Sequence, residues 1–117
     1  VSGCLGWGNR VSRRIGAIRL VNNRTDTYTI DVMIERDGEE EFTDEYKLGT
    51  KKAASTVTID SPLPEAGRFV FRFRADDQWV SIYPEDYESV DESCIEVQFE
   101  LQQQGTSGYE IKPSTMC

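Results

Sequence analysis

Three cysteines, a carboxylate-rich stretch from Glu85 to Glu92 and a complete lack of histidine set the chemistry open to this 117-residue chain. Without His, the commonest general base, the usual catalytic-zinc ligand and the usual blue-copper ligand are all missing. A Ser or Cys nucleophile lacks its customary base, and Cys4, Cys94 and Cys117 fit no nucleophile motif. Paired carboxylates can serve as acid and base, but with 21 Asp and Glu residues some pair meets by abundance alone. The expectation is a protein that is not an enzyme and needs no cofactor. Oxygen ligation of a hard cation is the metal chemistry left. Asp86, Glu88, Asp91 and Glu92, with Glu85, Asp76 and Asp77 near in sequence, form a weak calcium candidate. Their spacing does not match an EF-hand loop, and a solvated acidic face accounts for them better than a calcium site does. Trp79, Tyr83 and Tyr87 are candidates to line a glycan or peptide surface, or to complete the core and its rim.

The cysteines divide into one and two. Val1-Ser2-Gly3-Cys4-Leu5-Gly6 looks like the end of a lipoprotein signal, which makes Cys4 a lipidation candidate. That leaves Cys94 and Cys117 as an even pair and a candidate disulfide, which an exported location permits. Strict alternation places these two on opposite faces if Ile111 shares the face of Phe99 and Leu101, and Pro113 supplies an irregularity that reconciles them. Asn23-Arg24-Thr25 is a glycosylation acceptor sequence in a turn, which marks Asn23 as a modification candidate.

Charge is uneven along the chain. Residues 1–24 hold five Arg and no acid, so the remaining 93 residues carry 8 basic against 21 acidic side chains, a net of −13. A total of −8 disfavours nucleic acid, whose phosphates require a clustered positive face. No run reaches the roughly 20 apolar residues of a membrane-spanning helix. Arg10, Arg13 and Arg14 share the Gly-rich segment 1–14 with Leu5, Trp7 and Val11, so this segment pairs apolar anchors with positive charge. It reads as an arm with two roles open to it. One is a membrane tether, a lipid on Cys4 joined by Arg against anionic headgroups. The other is a strand added to the open edge of a neighbouring sandwich, a contact that builds a filament when repeated head to tail.

What must position these residues is a series of strands, because alternation with period two dominates and no helical period is sustained. Ile15–Asn22 is a first strand; Tyr28, Ile30, Val32 and Ile34 alternate with polar residues in the second. Arg36-Asp37-Gly38 suggests a three-residue hairpin loop, and the returning strand 40–48 places Phe42, Tyr46 and Leu48 on the second strand's apolar face. Asp44 falls on that face too, which predicts an edge position. Further strands follow at 55–60, 69–74, 79–83, 94–104 and 109–112, with Phe69, Phe71 and Phe73 at the centre of the core. Seven or eight short strands at this spacing predict an all-β fold, an antiparallel immunoglobulin-like sandwich over 15–117 preceded by the arm over 1–14.

From Ile15 onward the chain resembles the small β-sandwich modules of exported haloarchaeal surface proteins and lipoproteins. The matching features are the Asn22-Asn23 turn, the amphipathic strand ending in Glu35-Arg36-Asp37-Gly38, and Glu65-Ala66-Gly67-Arg68-Phe69 leading into the Phe strand. Nine Arg to four Lys amid abundant acid suits the surface of a protein from salt-loving archaea. The resemblance implies architecture and an extracellular, cell-surface location, with another protein or a further copy of the chain as partner. The expected function is a non-catalytic structural or interaction protein, lipid-tethered or self-assembling. The alternative is a surface module that binds calcium or a glycan.

Overall fold

A computed structural model of the chain describes residues 12–51, 54–103 and 106–117. It is a sandwich of two four-stranded sheets, as the alternation predicts. The strands are β1 (Arg14–Asn22), β2 (Tyr28–Arg36), β3 (Glu39–Leu48), β4 (Thr56–Asp60), β5 (Phe69–Ala75), β6 (Gln78–Ile82), β7 (Cys94–Leu101) and β8 (Ser107–Pro113). One sheet runs β4-β1-β7-β8 and the other β3-β2-β5-β6. Each strand's apolar set faces inward: Ile18 and Leu20, Ile30, Val32 and Ile34, Phe69, Phe71 and Phe73, and Ile95, Val97, Phe99 and Leu101 are all buried. Phe73 of one sheet stacks on Phe99 of the other with ring centroids 4.6 Å apart, which joins the two layers at the centre.

The pairing departs from the expected antiparallel pattern in one place. β1 lies parallel to β7 in the middle of its sheet, with Ile18 opposite Val97 and Leu20 opposite Phe99. Both strands are buried on their inner face and flanked by neighbours, so each completes its ladder in whichever direction the chain supplies. Gly16 forms a bulge in this pair, between Ile15 and Ala17. A Cβ there would collide with the Ser114 hydroxyl oxygen, so Gly16 gives the C-terminal tail its seat on β1. Ser114 N–H donates to Cys94 O at 2.9 Å, and the Cys94–Cys117 disulfide closes over the same place with Cα atoms 5.9 Å apart. The ladder of β8 ends at Pro113, and this break resolves the conflict of faces.

The hairpin turns are tighter than expected. β2 and β3 are joined by Asp37 and Gly38 alone, with φ of 54° and 89°, the two-residue turn whose twist matches the strands. The additional residue sits in β3, where the register shifts between the Ile34–Phe42 and Glu35–Glu40 pairs and Glu41 bulges toward Arg36. β5 and β6 are joined in the same way by Asp76 and Asp77, with φ of 56° and 61°.

The sandwich takes in residues ahead of Ile15, its expected start. β1 takes in Arg14, and Arg13 pairs with Gly67 in an isolated antiparallel bridge, N–H to O at 2.9 Å in both directions. Arg13 is buried and donates from Nη2 to Val90 O at 2.8 Å. Both arginines therefore belong to the sandwich: the backbone donors of Gly67 and Arg13 satisfy one another only if Arg13 is part of the fold. Cys4, Leu5, Trp7, Arg10 and Val11 lie outside the described residues.

Candidate interaction flank

Among the described residues four strands have a free edge: β3 and β6 in one sheet, β4 and β8 in the other. Their sequences treat those edges differently. β3 carries Glu39, Glu40, Glu41, Asp44 and Glu45, a density of charge that discourages any further strand. Asp44 stands opposite Val32 yet is exposed, as an edge allows. β4 lies against β3 and shares that flank. β8 carries Glu110 and Lys112 and ends in Pro113. β6, Gln-Trp-Val-Ser-Ile, has no charge at all.

The geometry of the β5–β6 hairpin fixes which backbone groups of β6 face outward. A two-residue loop at Asp76 and Asp77 makes Ala75 and Gln78 the first pair to exchange both hydrogen bonds. Phe73–Val80 and Phe71–Ile82 then do the same, and Trp79 and Ser81 turn their N–H and C=O groups away from β5. Val80 and Ile82 share the inward face of Phe73 and Phe71, while Trp79 lies outside, 43% exposed, with the Arg74 guanidinium 4.9 Å from its ring centroid. Tyr83, just beyond the strand, and Tyr109 on β8 are exposed to the same extent.

Between β6 and β8 the sandwich opens into a cleft of about 470 Å³. Val80, Phe99 and Leu101 line it beside the polar Gln78, Thr106 and Ser107. Arg24 closes its end. This arginine is almost wholly buried and bonds through each nitrogen: Nε to Gln102 O at 3.0 Å, Nη2 to Thr106 O at 3.0 Å and Nη1 to Asp76 Oδ2 at 2.5 Å. The guanidinium also lies 4.7 Å from the Tyr28 ring centroid. Its hydrogen bond to Asp76 raises the Arg24 pKa further, so the guanidinium stays charged. Asp76, Gln102 and Thr106 are thus held together around one cation from the β1–β2 turn.

The other sequence candidates are not brought together. Asp86, Glu88, Asp91 and Glu92 are all exposed. Asp86 accepts from Tyr83 N–H at 2.7 Å, capping the short 3₁₀ turn Pro84–Asp86. Among the described residues no group of three or more Asp, Glu or Cys side chains gathers to hold a metal ion, so the calcium candidate is not assembled. A carboxylate run in an extended loop projects its members apart. Asn23 is exposed in its turn, and its side-chain amide donates to the Glu100 carboxylate. Of the three aromatic candidates, Tyr87 is fully buried, whereas Trp79 and Tyr83 stand beside the free edge of β6. The Arg24 clasp carried no sequence signal beyond an arginine in a turn. Its partners Gln102 and Thr106 offer backbone oxygens, which composition does not reveal.

No protein-family model and no curated protein matches the chain. Among solved structures it is similar to an NMR structure of a protein from Eubacterium rectale, at 15% identity and a TM-score of 0.48, over 87% of this chain and 92% of that one. It is also similar to a structure described as a trapped toxin, at 13% identity and a TM-score of 0.34, over 85% of this chain and 24% of that one. Both scores lie below the level at which a shared fold is established. Among the described residues no helix is long and apolar enough to cross a membrane.

Proposed function

We propose that this chain is a non-catalytic, extracellular protein of the cell surface that acts through protein contacts, its N-terminal segment joining it to further copies or a lipid on Cys4 holding it in place. The observation that supports assembly is the β6 flank, an uncharged strand with outward backbone donors and acceptors beside a cleft lined in part by Val80, Phe99 and Leu101. Strand addition draws its strength from such backbone groups and its specificity from adjoining pockets. The Cys94–Cys117 disulfide suits an oxidising compartment. The small residues before Cys4 suit export as a lipoprotein.

The test compares the whole chain with a variant lacking residues 1–11, the whole chain carrying Cys4→Ser so that no intermolecular disulfide forms. Light scattering after size exclusion is expected to show multimers for the former and monomers for the latter. Multimers that survive the deletion would overturn the assembly reading. Intact-mass measurement of protein from its native cells decides the tether. A species that begins at Cys4 and carries lipid mass establishes it, and an unmodified Cys4 removes it.

A further inference from the structure

We infer that β6 is the edge that receives the added strand, that the donor is the segment Leu5–Val11 of a second copy, and that its Trp7 fills the cleft between β6 and β8. This rests on the assembly reading above and specifies its two contact surfaces.

The acceptor follows from comparing the edges. β3 is barred by its carboxylates and β4 shares that acidic flank, while β8 presents a charge of each sign and a terminal Pro. β6 alone among these four is uncharged, and it is also the edge beside which a cleft of mixed lining lies open, with Val80, Phe99 and Leu101 as its apolar part. An engineered cavity of about 150 Å³ accepts benzene, so a cleft of about 470 Å³ has room for an indole.

The donor follows from the sequence of the segment. Leu5, Trp7, Asn9 and Val11 occupy odd positions, and Gly6, Gly8 and Arg10 even ones. As a strand it would turn three apolar side chains and one amide to one face and two glycines with one cation to the other. Paired with β6, its apolar face continues the inward face of Val80 and Ile82 over the cleft. Its glycine face lies on the side of Trp79, where the absence of side chains leaves room for an indole already exposed. Both ends of β6 are acidic, Asp76 and Asp77 at one and Glu85 and Asp86 at the other, so Arg10 meets a carboxylate in either strand direction.

Length favours a second copy over the same molecule. Residues 5–11 extend about 23 Å, at roughly 3.3 Å per residue. Covering β6 and Tyr83 takes about 20 Å, so a copy's own segment, which must also cross to that edge from Arg13 at Gly67, has little length to spare. A second copy has no such distance to bridge. The contact joins different surfaces of the two partners, so it does not close on itself and each added copy offers a fresh β6 edge.

The test uses the full chain with Cys4→Ser as parent. Ser81→Pro removes an outward N–H from β6 without removing a bond to β5, at a position where an edge strand tolerates proline. Thr58→Pro is its counterpart on β4. There, Asn22 N–H bonded to Ser55 O and Ser61 N–H bonded to Gly16 O set the alternation that turns Thr58 outward. Light scattering is expected to show monomers for Ser81→Pro, multimers like the parent's for Thr58→Pro, and at least about a tenfold weaker association for Trp7→Ala. If Ser81→Pro assembles like the parent while deletion of residues 1–11 abolishes assembly, the self-assembly reading stands and the β6 assignment is overturned. If Thr58→Pro dissociates instead, β4 is the acceptor. Should Ser81→Pro fail to fold by circular dichroism, Ser81→Cys is combined with Gly6→Cys or Gly8→Cys and oxidised. Crosslinks between molecules that join position 81 to the N-terminal segment support the assignment, and their absence in both pairs overturns it.

Discussion

Tyr87 shows how one side chain closes an end of the sandwich. It follows the 3₁₀ turn Pro84–Asp86, is fully buried and lies edge-on to Phe71 with ring centroids 6.1 Å apart. Its hydroxyl donates to Phe69 O at 2.8 Å and accepts from Phe69 N–H at 2.9 Å, so the connection between β6 and β7 is pinned to the first residue of β5. Burial pushes its pKa up to about 12, because the phenolate would be a charge without water. The unfolded chain titrates this group near 10. Below that pH both states hold the proton and the full stability is present; between about 10 and 12 only the unfolded state releases it. Tyr87 thus contributes a loss of about 3 kcal/mol as pH rises through this window. Tyr87→Phe is expected to cost about 1–3 kcal/mol at pH 7, since Phe69 N–H and C=O lose their partner, and to flatten the decline above pH 10. Urea midpoints of the two proteins at pH 8, 10 and 11 check this. Parallel declines would show that Tyr87 does not titrate with unfolding.

Elements were legible in the sequence wherever one face is buried and the other wet. β2 is the clearest case, with Ile30, Val32 and Ile34 buried at 0% exposure, and β3, β5 and β7 follow with nearly the expected bounds. Asp44 on the apolar face of β3 marked that strand as an edge, which it is. The parallel pairing of β1 with β7 left no trace, because alternation records which face is buried and not the direction of the neighbour. The cleft and the Arg24 clasp were illegible for a related reason: they depend on which loops meet at an end of the sandwich. The Cys94–Cys117 bridge stood between these extremes, since the residues were plain and the break at Pro113 decided the geometry. It closes a loop with a sequence separation of 23, for which chain entropy gives about 3 kcal/mol of stabilisation. Replacing both cysteines by serine is expected to lower stability by roughly that amount. The first amides to lose protection from hydrogen exchange should be those of Ile111, Lys112 and the tail seated on Gly16. An unchanged denaturation midpoint would show that the tail's packing holds β8 without the bond.

Across the whole molecule, the cations are committed to both sheets. Arg72 pairs with Glu35 and Arg74 with Asp31 at 2.7 Å; Arg19 reaches Glu96, which Lys112 approaches at 3.7 Å. With 13 basic and 21 acidic side chains, many carboxylates have no such neighbour. The excess is concentrated on β3, where Glu45 stands opposite Asp31 and Glu40 opposite Glu35, like charges in cross-strand positions. Repulsion of this kind weakens as the screening length falls from about 10 Å at 0.1 M salt to about 3 Å at 1 M. Relief of about 1 kcal/mol corresponds to a rise of roughly 5 °C in melting temperature for a domain of this size. The chain is therefore expected to melt at least about 5 °C higher in 1 M NaCl than in 0.1 M. The double variant Glu40→Lys/Glu45→Lys should melt higher at low salt and gain less from added salt, which separates charge screening from the general strengthening of apolar contacts. A melting temperature that falls with salt would mean that the ion pairs outweigh the repulsion. The same screening bears on assembly. A contact made by backbone hydrogen bonds and an indole against Val80 keeps its strength at 1 M salt, whereas one carried by Arg10 against the acidic ends of β6 does not. Multimers that persist in 1 M NaCl and disappear with Trp7→Ala would place the strength of association in the strand and its anchor; multimers lost to salt alone would place it in the charges.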